Sequence, residues 1–372
     1  MEKIAVKVRQ HIADYNIVLD SSFAALTAEL AVLFPASSSS RKVIIVTDTN
    51  VLLFYADEID TICAAAGIKT ARFVFAAGEE SKKMTTVADL YQKMSDFRLS
   101  RDDLLLALGG GVCGDICGFA AATYLRGIAY VYLPTSLLAQ VDAGIGGKTA
   151  VDFGSHKNMV GAFHMPRLVY INTQTLTSLP EREYLSGFAE VMKHALIRSA
   201  SFYEWLIANS EEICSRDSET LTEMIRQSIL IKKSFVEKDP YELTGERTKL
   251  NFGHTLGHAL EKATACRLLH GECVALGIVA AAYISRQKGH ITADEYYEIR
   301  DMFVLFQLPI SLTAADFNPK QVLANTKTDK KTVAETMNFV LLSKVGKVFL
   351  DQTVTDEDIL EAMAEITWKE ED

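Results

Sequence analysis

Leu104-Leu-Leu-Ala-Leu-Gly-Gly-Gly-Val-Cys-Gly114 is the stretch that decides how the first half of this chain folds. Leu104 to Leu108 is apolar at every position, so it reads as a strand buried on both faces. Three glycines end the run, and a helical pattern follows from about Val112 to Leu125. Gly109-x-Gly111-x-x-Gly114 thus stands between a strand and a helix. In that context glycines let the backbone turn sharply and aim amide N–H groups at a pyrophosphate. A tight packing turn would use the same residues, and the motif does not lie on the first strand–helix turn.

The flanking segments repeat the alternation. Lys42 to Thr47 is a β-branched strand that ends at Asp48-Thr49-Asn50. A helix follows through Ala66, closed by Gly67. Ala71 to Phe75 reads as a second strand, Gly78 to Lys82 as a loop into another helix, and Ile128 to Leu133 as a further strand. Strand and helix at this pace predict a Rossmann-like α/β domain with a mostly parallel sheet and right-handed crossovers. No acid lies at the usual distance beyond the glycines to hold a ribose hydroxyl, and Asp48 is the candidate for that contact.

From about Glu181 the apolar residues recur at helical spacing. Glu183–Ser199, 201–208, 219–237, 254–265 and 270–288 read as helices, and Met337–Leu342 with Val345–Leu350 as a late hairpin. The expected boundary is near residue 180, with 1–180 an α/β domain and 181–372 an all-α one. The active site is expected in the cleft between them.

A net charge of −10 over 372 residues argues against a general binder of nucleic acid or anionic membranes. No apolar run reaches membrane-span length, and the N-terminal residues have no signal-peptide core. The six cysteines show no Cys-x-x-Cys pair, so free thiols in a reducing cytoplasm are expected.

Asn251-Phe-Gly-His254-Thr-Leu-Gly-His258-Ala-Leu-Glu and His270-Gly-Glu272 gather three of the eight histidines. His254 and His258 are one helical turn apart on one face, which suggests a metal site. Glu190 and His194 share the same i, i+4 spacing, and either could complete it. Two histidines and a carboxylate leave a coordination position open, as in a catalytic Zn²⁺ centre. Otherwise His194, with Lys193, is ordinary helix surface. Val141 to Pro166 is rich in glycine and lone lysines, suited to cradling phosphate or carboxylate. It is not a P-loop, because Asp142 stands where the first glycine would be.

In chain order, Leu-Gly-Gly-Gly-x-x-x-Asp115, Leu-Pro-Thr135-Ser136-Leu-Leu-Ala-Gln-Val-Asp142, Gly-Gly-Lys148-Thr-Ala-Val-Asp152, Lys157-Asn158-Met-Val-Gly-Ala-Phe, Leu-Pro-Glu-Arg-Glu183, Ala-Glu190-Val-Met-Lys193 and the two histidine motifs resemble the 3-dehydroquinate synthases, a family of sugar phosphate cyclases. The resemblance spans nearly the whole chain. It implies metal ligands at Glu190, His254 and His270, with His258 facing the substrate phosphate. It implies NAD contacts at Asp48, Asn50, Glu79, Lys82, Gly110, Gly111, Asp115, Thr135, Ser136 and Asp142, with Lys148 and Lys157 beside them. Substrate contacts and catalytic groups would be Arg126, Asp142, Lys148, Lys157, Asn158, Lys193, Lys232, Glu242, Arg247, Asn251, His258 and Lys330. An extra residue between Asp239 and Arg247, and histidine at 194, depart from the family pattern.

The implied reaction converts 3-deoxy-D-arabino-heptulosonate 7-phosphate to 3-dehydroquinate and phosphate, with NAD recycled and a divalent metal (Zn or Co) polarising substrate oxygens. The resemblance also implies a cytoplasmic homodimer in which Arg126 reaches the partner's site. The rivals are an inosose- or valiolone-forming cyclase and a metal-dependent polyol dehydrogenase. The intact Gly146–Asp152 stretch favours dehydroquinate.

Overall fold

The computed structural model describes residues 14–34, 41–154, 156–265, 267–328 and 338–368. They divide into two compact units. The first is built mainly from Phe23–Pro134 and Gly147–Ile171, the second from Thr135–Gly146 and Asn172–Asp372.

The first unit holds strands β1 (Asn16–Asp20), β2 (Lys42–Asp48), β3 (Lys69–Phe75), β4 (Leu104–Gly109), β5 (Ala129–Pro134), β6 (Lys148–Phe153), β7 (His156–Phe163) and β8 (Leu168–Asn172). Its helices are α1 (Leu26–Ala31), α2 (Leu52–Ala65), α3 (Met84–Asp96) and α4 (Gly111–Thr123). Six strands form one sheet in the order β1-β8-β5-β4-β2-β3. The pairs from β8 across to β3 are all parallel. All six residues of β4 are buried, which is why its sequence does not alternate. Leu104, Leu106 and Leu108 join Val43, Ile45, Val131 and Leu133 in a core with Leu26, Leu30, Ala56 and Ile59. On the other face α4 lies against the sheet. A Cβ on Gly114 would come within 2.4 Å of the Tyr132 ring, so only glycine fits that approach.

Three features depart from the expected layout. Lys148–Phe153 and His156–Phe163 form an antiparallel hairpin where the sequence reads as a glycine- and lysine-rich cradle. The strand β7 is mostly exposed, so it lacks the apolar alternation that marks a strand. Leu168–Asn172 adds a fully buried strand to the sheet. Helix α4 stops at Thr123, because Leu125 and Arg126 adopt φ of +50° and +67° and cannot continue a right-handed helix.

The second unit is helical: α5 (Glu181–Arg198), α6 (Ala200–Ala208), α7 (Ser210–Cys214), α8 (Ser218–Val236), α9 (His254–Ala263), α10 (His270–Gln287), α11 (Ala293–Leu305), α12 (Pro319–Thr328) and α13 (Asp356–Glu365). The expected hairpin is present as β10 (Phe339–Lys344) and β11 (Lys347–Asp351), while β9 (Leu312–Thr313) pairs with β12 (Thr367–Trp368). No described helix is long and apolar enough to cross a membrane. Helix α10 is buried along most of its length, and two glycines set its position. A Cβ on Gly271 would fall 1.8 Å from the Ser186 carbonyl oxygen of α5, and one on Gly277 would fall 2.0 Å from the carbonyl oxygen of Gly253. Backbone therefore meets backbone where α10 crosses its neighbours, and the first residues of α9 and α10 come together beside α5.

Gly277→Ala should accordingly destabilise the fold by about 1–3 kcal/mol, as overpacking does. Urea unfolding measures it, and wild-type stability would contradict the close crossing.

Candidate active site

Glu190, Lys193 and His194 stand on successive turns of α5, each fully or almost fully buried. Burying a carboxylate is costly unless cations or hydrogen-bond donors surround it. Here Oε1 of Glu190 lies 3.3 Å from Nε2 of His254 and 3.5 Å from Nε2 of His270. Lys193 forms an ion pair with Oε2. Burial alone would raise the Glu190 pKa, but Lys193 and His254 outweigh it and hold the carboxyl well below the ordinary range.

The two histidine rings are oriented from behind. The Nδ1 of His254 meets the Phe252 carbonyl oxygen at 3.2 Å. A carbonyl can only accept, so Nδ1 carries a proton, and Nε2 is the nitrogen turned toward Glu190. Burial opposes the charged form of His270, yet Glu190 and Glu261 overcome it and push its pKa up to about 9. The site attracts positive charge.

The ligand atoms of Glu190, His254 and His270 lie within 4.8 Å of one another. Glu190 Oε1 is buried without a hydrogen-bond donor and faces two ring nitrogens. Two imidazoles and a carboxylate fit a divalent Zn²⁺ or Co²⁺ with positions left open. His258 is not among these ligand atoms. Its ring stands 5.2 Å from that of His254 and 5.9 Å from that of His270, and it reaches solvent. Crowding around it and the neighbouring His254 and His270 push its pKa down to about 3. Glu272 does not face the group either. It caps α10 through the Leu269 N–H at 2.8 Å and pairs with Arg182 at 2.7 Å.

Beside this group is a second cluster. Asp142, on the turn Ala139–Ala143, meets Lys232 at 2.7 Å, Lys193 at 3.7 Å and Nε2 of His194 at 3.6 Å. Burial works against its charge, but the two lysines hold its carboxyl well below the ordinary range. Lys232 shares that one carboxylate with Lys193 and is fully enclosed, so burial brings its pKa down to about 8. His194 is not helix surface, as its sequence context suggests. It is buried, with Nδ1 2.6 Å from the Ser228 hydroxyl. Its partners come from α8 and the Asp142 turn, so helical spacing within α5 gave no sign of them.

Arg247 is buried, donating to the carbonyls of Gly146 (3.1 Å) and Pro240 (2.8 Å). Its loop is organised by Asp239, a residue the sequence reading passed over. Asp239 accepts the N–H groups of Leu243 (2.7 Å), Thr244 (3.1 Å) and Arg247 (3.2 Å). Glu242 and Asn251 are half-buried on the same segment. Thr135 is buried and Ser136 opens the turn that carries Asp142. Lys330 lies outside the described residues.

In the first unit, β2 and β4 are neighbours whose chains continue to opposite sides of the sheet. Their carboxyl ends therefore form a topological switch point, where ligands bind in such sheets. Asp48 ends β2 and Gly109 ends β4. A Cβ on Gly109 would stand 3.4 Å from Asp48 Oδ2, so the acid and the glycine turn border one crevice. Gly110 caps α4 and Gly111 begins it, with N–H groups free of helical partners. Asp48 also accepts the N–H groups of Asn50 and Val51, at 2.8 and 3.0 Å. Buried Lys82 joins Asp115 at 2.6 Å and Asn158 Oδ1 at 2.5 Å, while Lys157 approaches Glu79 at 3.8 Å. Asn158 has φ +54°, held by its N–H donating to Asp152 at 2.8 Å. Lys148 and Arg126 are exposed.

Residues 72–186 match the family model described as 3-dehydroquinate synthase N-terminal, and residues 187–332 match its C-terminal counterpart. The chain belongs to the 3-dehydroquinate synthase family. It is 40% identical to the 3-dehydroquinate synthase of Ruminiclostridium cellulolyticum over 86% of this chain and 88% of that one. Among solved structures it is similar to a 2-epi-5-epi-valiolone synthase from Streptomyces hygroscopicus with NAD⁺ and Zn²⁺ bound. That likeness has a TM-score of 0.88 and 27% identity, over 97% of this chain and 99% of that one. It is also similar to a 2-deoxy-scyllo-inosose synthase complexed with carbaglucose-6-phosphate, NAD⁺ and Co²⁺, with a TM-score of 0.83 and 25% identity over 94% of this chain and 96% of that one. Family membership thus agrees with the resemblance read from the motifs.

Asp239 provides a pH signature for the loop of Arg247. Burial would raise its pKa, but the N–H groups of Arg247, Thr244 and Leu243 lower it from 3.8 to about 2. A depressed folded-state value adds stability above about pH 4, lost as pH falls toward 2. In urea unfolding, wild type should therefore exceed Asp239→Asn most at neutral pH and converge with it near pH 2. A gap independent of pH would show that the carboxylate charge is not what holds the loop.

Proposed function

We propose that this chain is a 3-dehydroquinate synthase, converting 3-deoxy-D-arabino-heptulosonate 7-phosphate to 3-dehydroquinate and phosphate in the shikimate pathway. The observation that carries the reading is the convergence of Glu190, His254 and His270 beside the buried Lys193–Asp142–Lys232 cluster. It occurs in a chain 40% identical to a 3-dehydroquinate synthase, whereas the two structurally similar cyclases share 27% and 25%.

In this reading residues 1–180 bind NAD and residues 181–372 bind metal and substrate. Asp48, Gly110 and Gly111 border the dinucleotide crevice, and Asn50, Glu79, Lys82, Asp115, Thr135, Ser136 and Asp142 complete the contacts. NAD, when bound, supplies a hydride acceptor that returns the hydride within the same turnover. Glu190, His254 and His270 hold a divalent Zn²⁺ or Co²⁺, which supplies Lewis-acid polarisation of substrate oxygens. Lys193, Lys232 and Arg247 neutralise the substrate's carboxylate and phosphate, for which a buried, preorganised cation is worth more than a solvated one. Lys148, Lys157, Asn158, Glu242, Asn251 and Lys330 orient the sugar, and His258 faces its phosphate. The protein works in the cytoplasm as a homodimer, with Arg126 serving the partner's site.

Purified protein with NAD⁺ and Zn²⁺ or Co²⁺ should release phosphate from the heptulosonate without accumulating NADH. Stoichiometric NADH, or turnover only of a hexose or other heptulose phosphate, would overturn the assignment. Within the site, His270→Ala should lose bound metal, whereas His258→Ala should retain it and lose turnover by 100-fold or more, roughly the share of one acid–base or anion-binding side chain. Metal analysis of the two variants separates these roles, and metal loss from His258→Ala would reverse them.

A further inference from the structure

Glu261 is buried near the end of α9 and belongs to none of the roles above. Three and seven residues separate it from His258 and His254, so all three side chains line one face of the helix. That face presents a ligand, a histidine open to solvent and a buried acid in succession. His270, the first residue of α10, stands opposite. Its Nε2 is 3.5 Å from Glu190, while its Nδ1 is 3.8 Å from Oε2 of Glu261. The ring is thus held between two carboxylates, one at each nitrogen.

The two carboxylates are not equivalent. Glu190 shares its Oε1 with His254 at the point where the donor atoms converge. Glu261 lies behind His270, in the place that the Phe252 carbonyl takes behind His254. An acceptor at Nδ1 keeps the proton there and leaves the Nε2 lone pair for a metal. A carboxylate does more than a carbonyl, because its charge also makes the imidazole a stronger donor. His270 is the more exposed of the two rings, with a third of its side chain accessible against about a tenth for His254. It is therefore the ligand that needs the firmer hold.

We propose that Glu261 is a positioning residue for the metal site: its carboxylate, within ion-pair reach of Nδ1 of His270, favours the ring proton at that nitrogen, aims Nε2 at the ion shared with Glu190 and His254, and strengthens that nitrogen as a ligand. This rests on the metal-site reading above.

The test uses full-length protein stripped of metal and titrated with Zn²⁺ against a chromophoric chelator, and separately reloaded with Co²⁺ for its visible spectrum. Glu261→Gln keeps the shape and removes the charge. It should raise the Zn²⁺ dissociation constant by about 10- to 100-fold, as loss of such partners does, and shift the Co²⁺ bands. Glu261→Asp keeps the charge on a shorter arm and should recover part of the affinity. It also carries the test if the glutamine variant does not fold, as judged by near-ultraviolet circular dichroism of the metal-free proteins. Wild-type affinity and an unchanged Co²⁺ spectrum in Glu261→Gln would overturn the proposal. If His270→Ala still loses metal in that case, the metal site stands and only the role of Glu261 falls. If His270→Ala also binds Zn²⁺ like wild type, the metal site itself is wrong.

Discussion

A carboxylate with no solvent exposure sits at the centre of the helical unit, and much of that unit can be understood as what Glu190 requires. Removing a charge from water costs several kcal/mol unless counter-charges and donors replace the lost hydration. Lys193, one turn along the same helix, supplies one counter-charge. His254 and His270 come from two other helices, which approach because Gly271 and Gly277 remove the side chains that would keep backbones apart. The small residues of α10 and the donor set around Glu190 are therefore one design. Packing brings the ligand atoms together, and the charge they surround makes the place hospitable to a cation.

The same logic governs Asp142. A chain with net charge −10 repels anions on average, so an anionic substrate must be met by local positive charge. Lys193, Lys232 and Arg247 concentrate it inside, where the effective dielectric is low. Three buried cations would repel one another unless anchored, and Asp142 anchors two of them while backbone carbonyls hold the third. The depressed pKa of Lys232 marks how incomplete that compensation is. A phosphate or carboxylate of the proposed substrate would complete it. Lys193, Lys232 and Arg247 outnumber Glu190 and Asp142, which suits the anionic substrate proposed above.

What the sequence made legible follows from range. Leu104–Leu108 announces a doubly buried strand, because burial acts on every residue of the run. Helices α5, α6, α8, α9 and α10 are equally plain, since each carries its own period, whereas α7, α11, α12 and α13 were not singled out. The hairpin β6–β7 was not, because β7 is largely exposed and β6 is short and set among glycines. Nor was the environment of His194, whose partners Ser228 and Asp142 lie 34 and 52 positions away. Asp48 and Gly109 are far apart in the chain, and only the strand order makes them neighbours. The anchoring roles of Asp239 and Asp152 stayed hidden for another reason. Each works by accepting backbone N–H groups, a role that leaves no trace in residue spacing.

The histidines carry the argument one step further. Spacing alone pairs His254 with His258, because i, i+4 side chains share a helix face. In the folded unit the partner of His254 is His270, from the next helix, and His258 is left facing solvent. A shared face fixes only where a side chain starts, whereas a ligand is defined by where its lone pair points. For His254 that direction is imposed by the Phe252 carbonyl, and a carboxylate stands in the corresponding place behind His270. His258 instead lies between the rings of His254 and His270 and reaches solvent. A histidine held from behind is committed to one direction, while one left unanchored can turn to follow a substrate. The division of labour on α9 therefore comes from the atoms behind the rings as much as from the rings themselves.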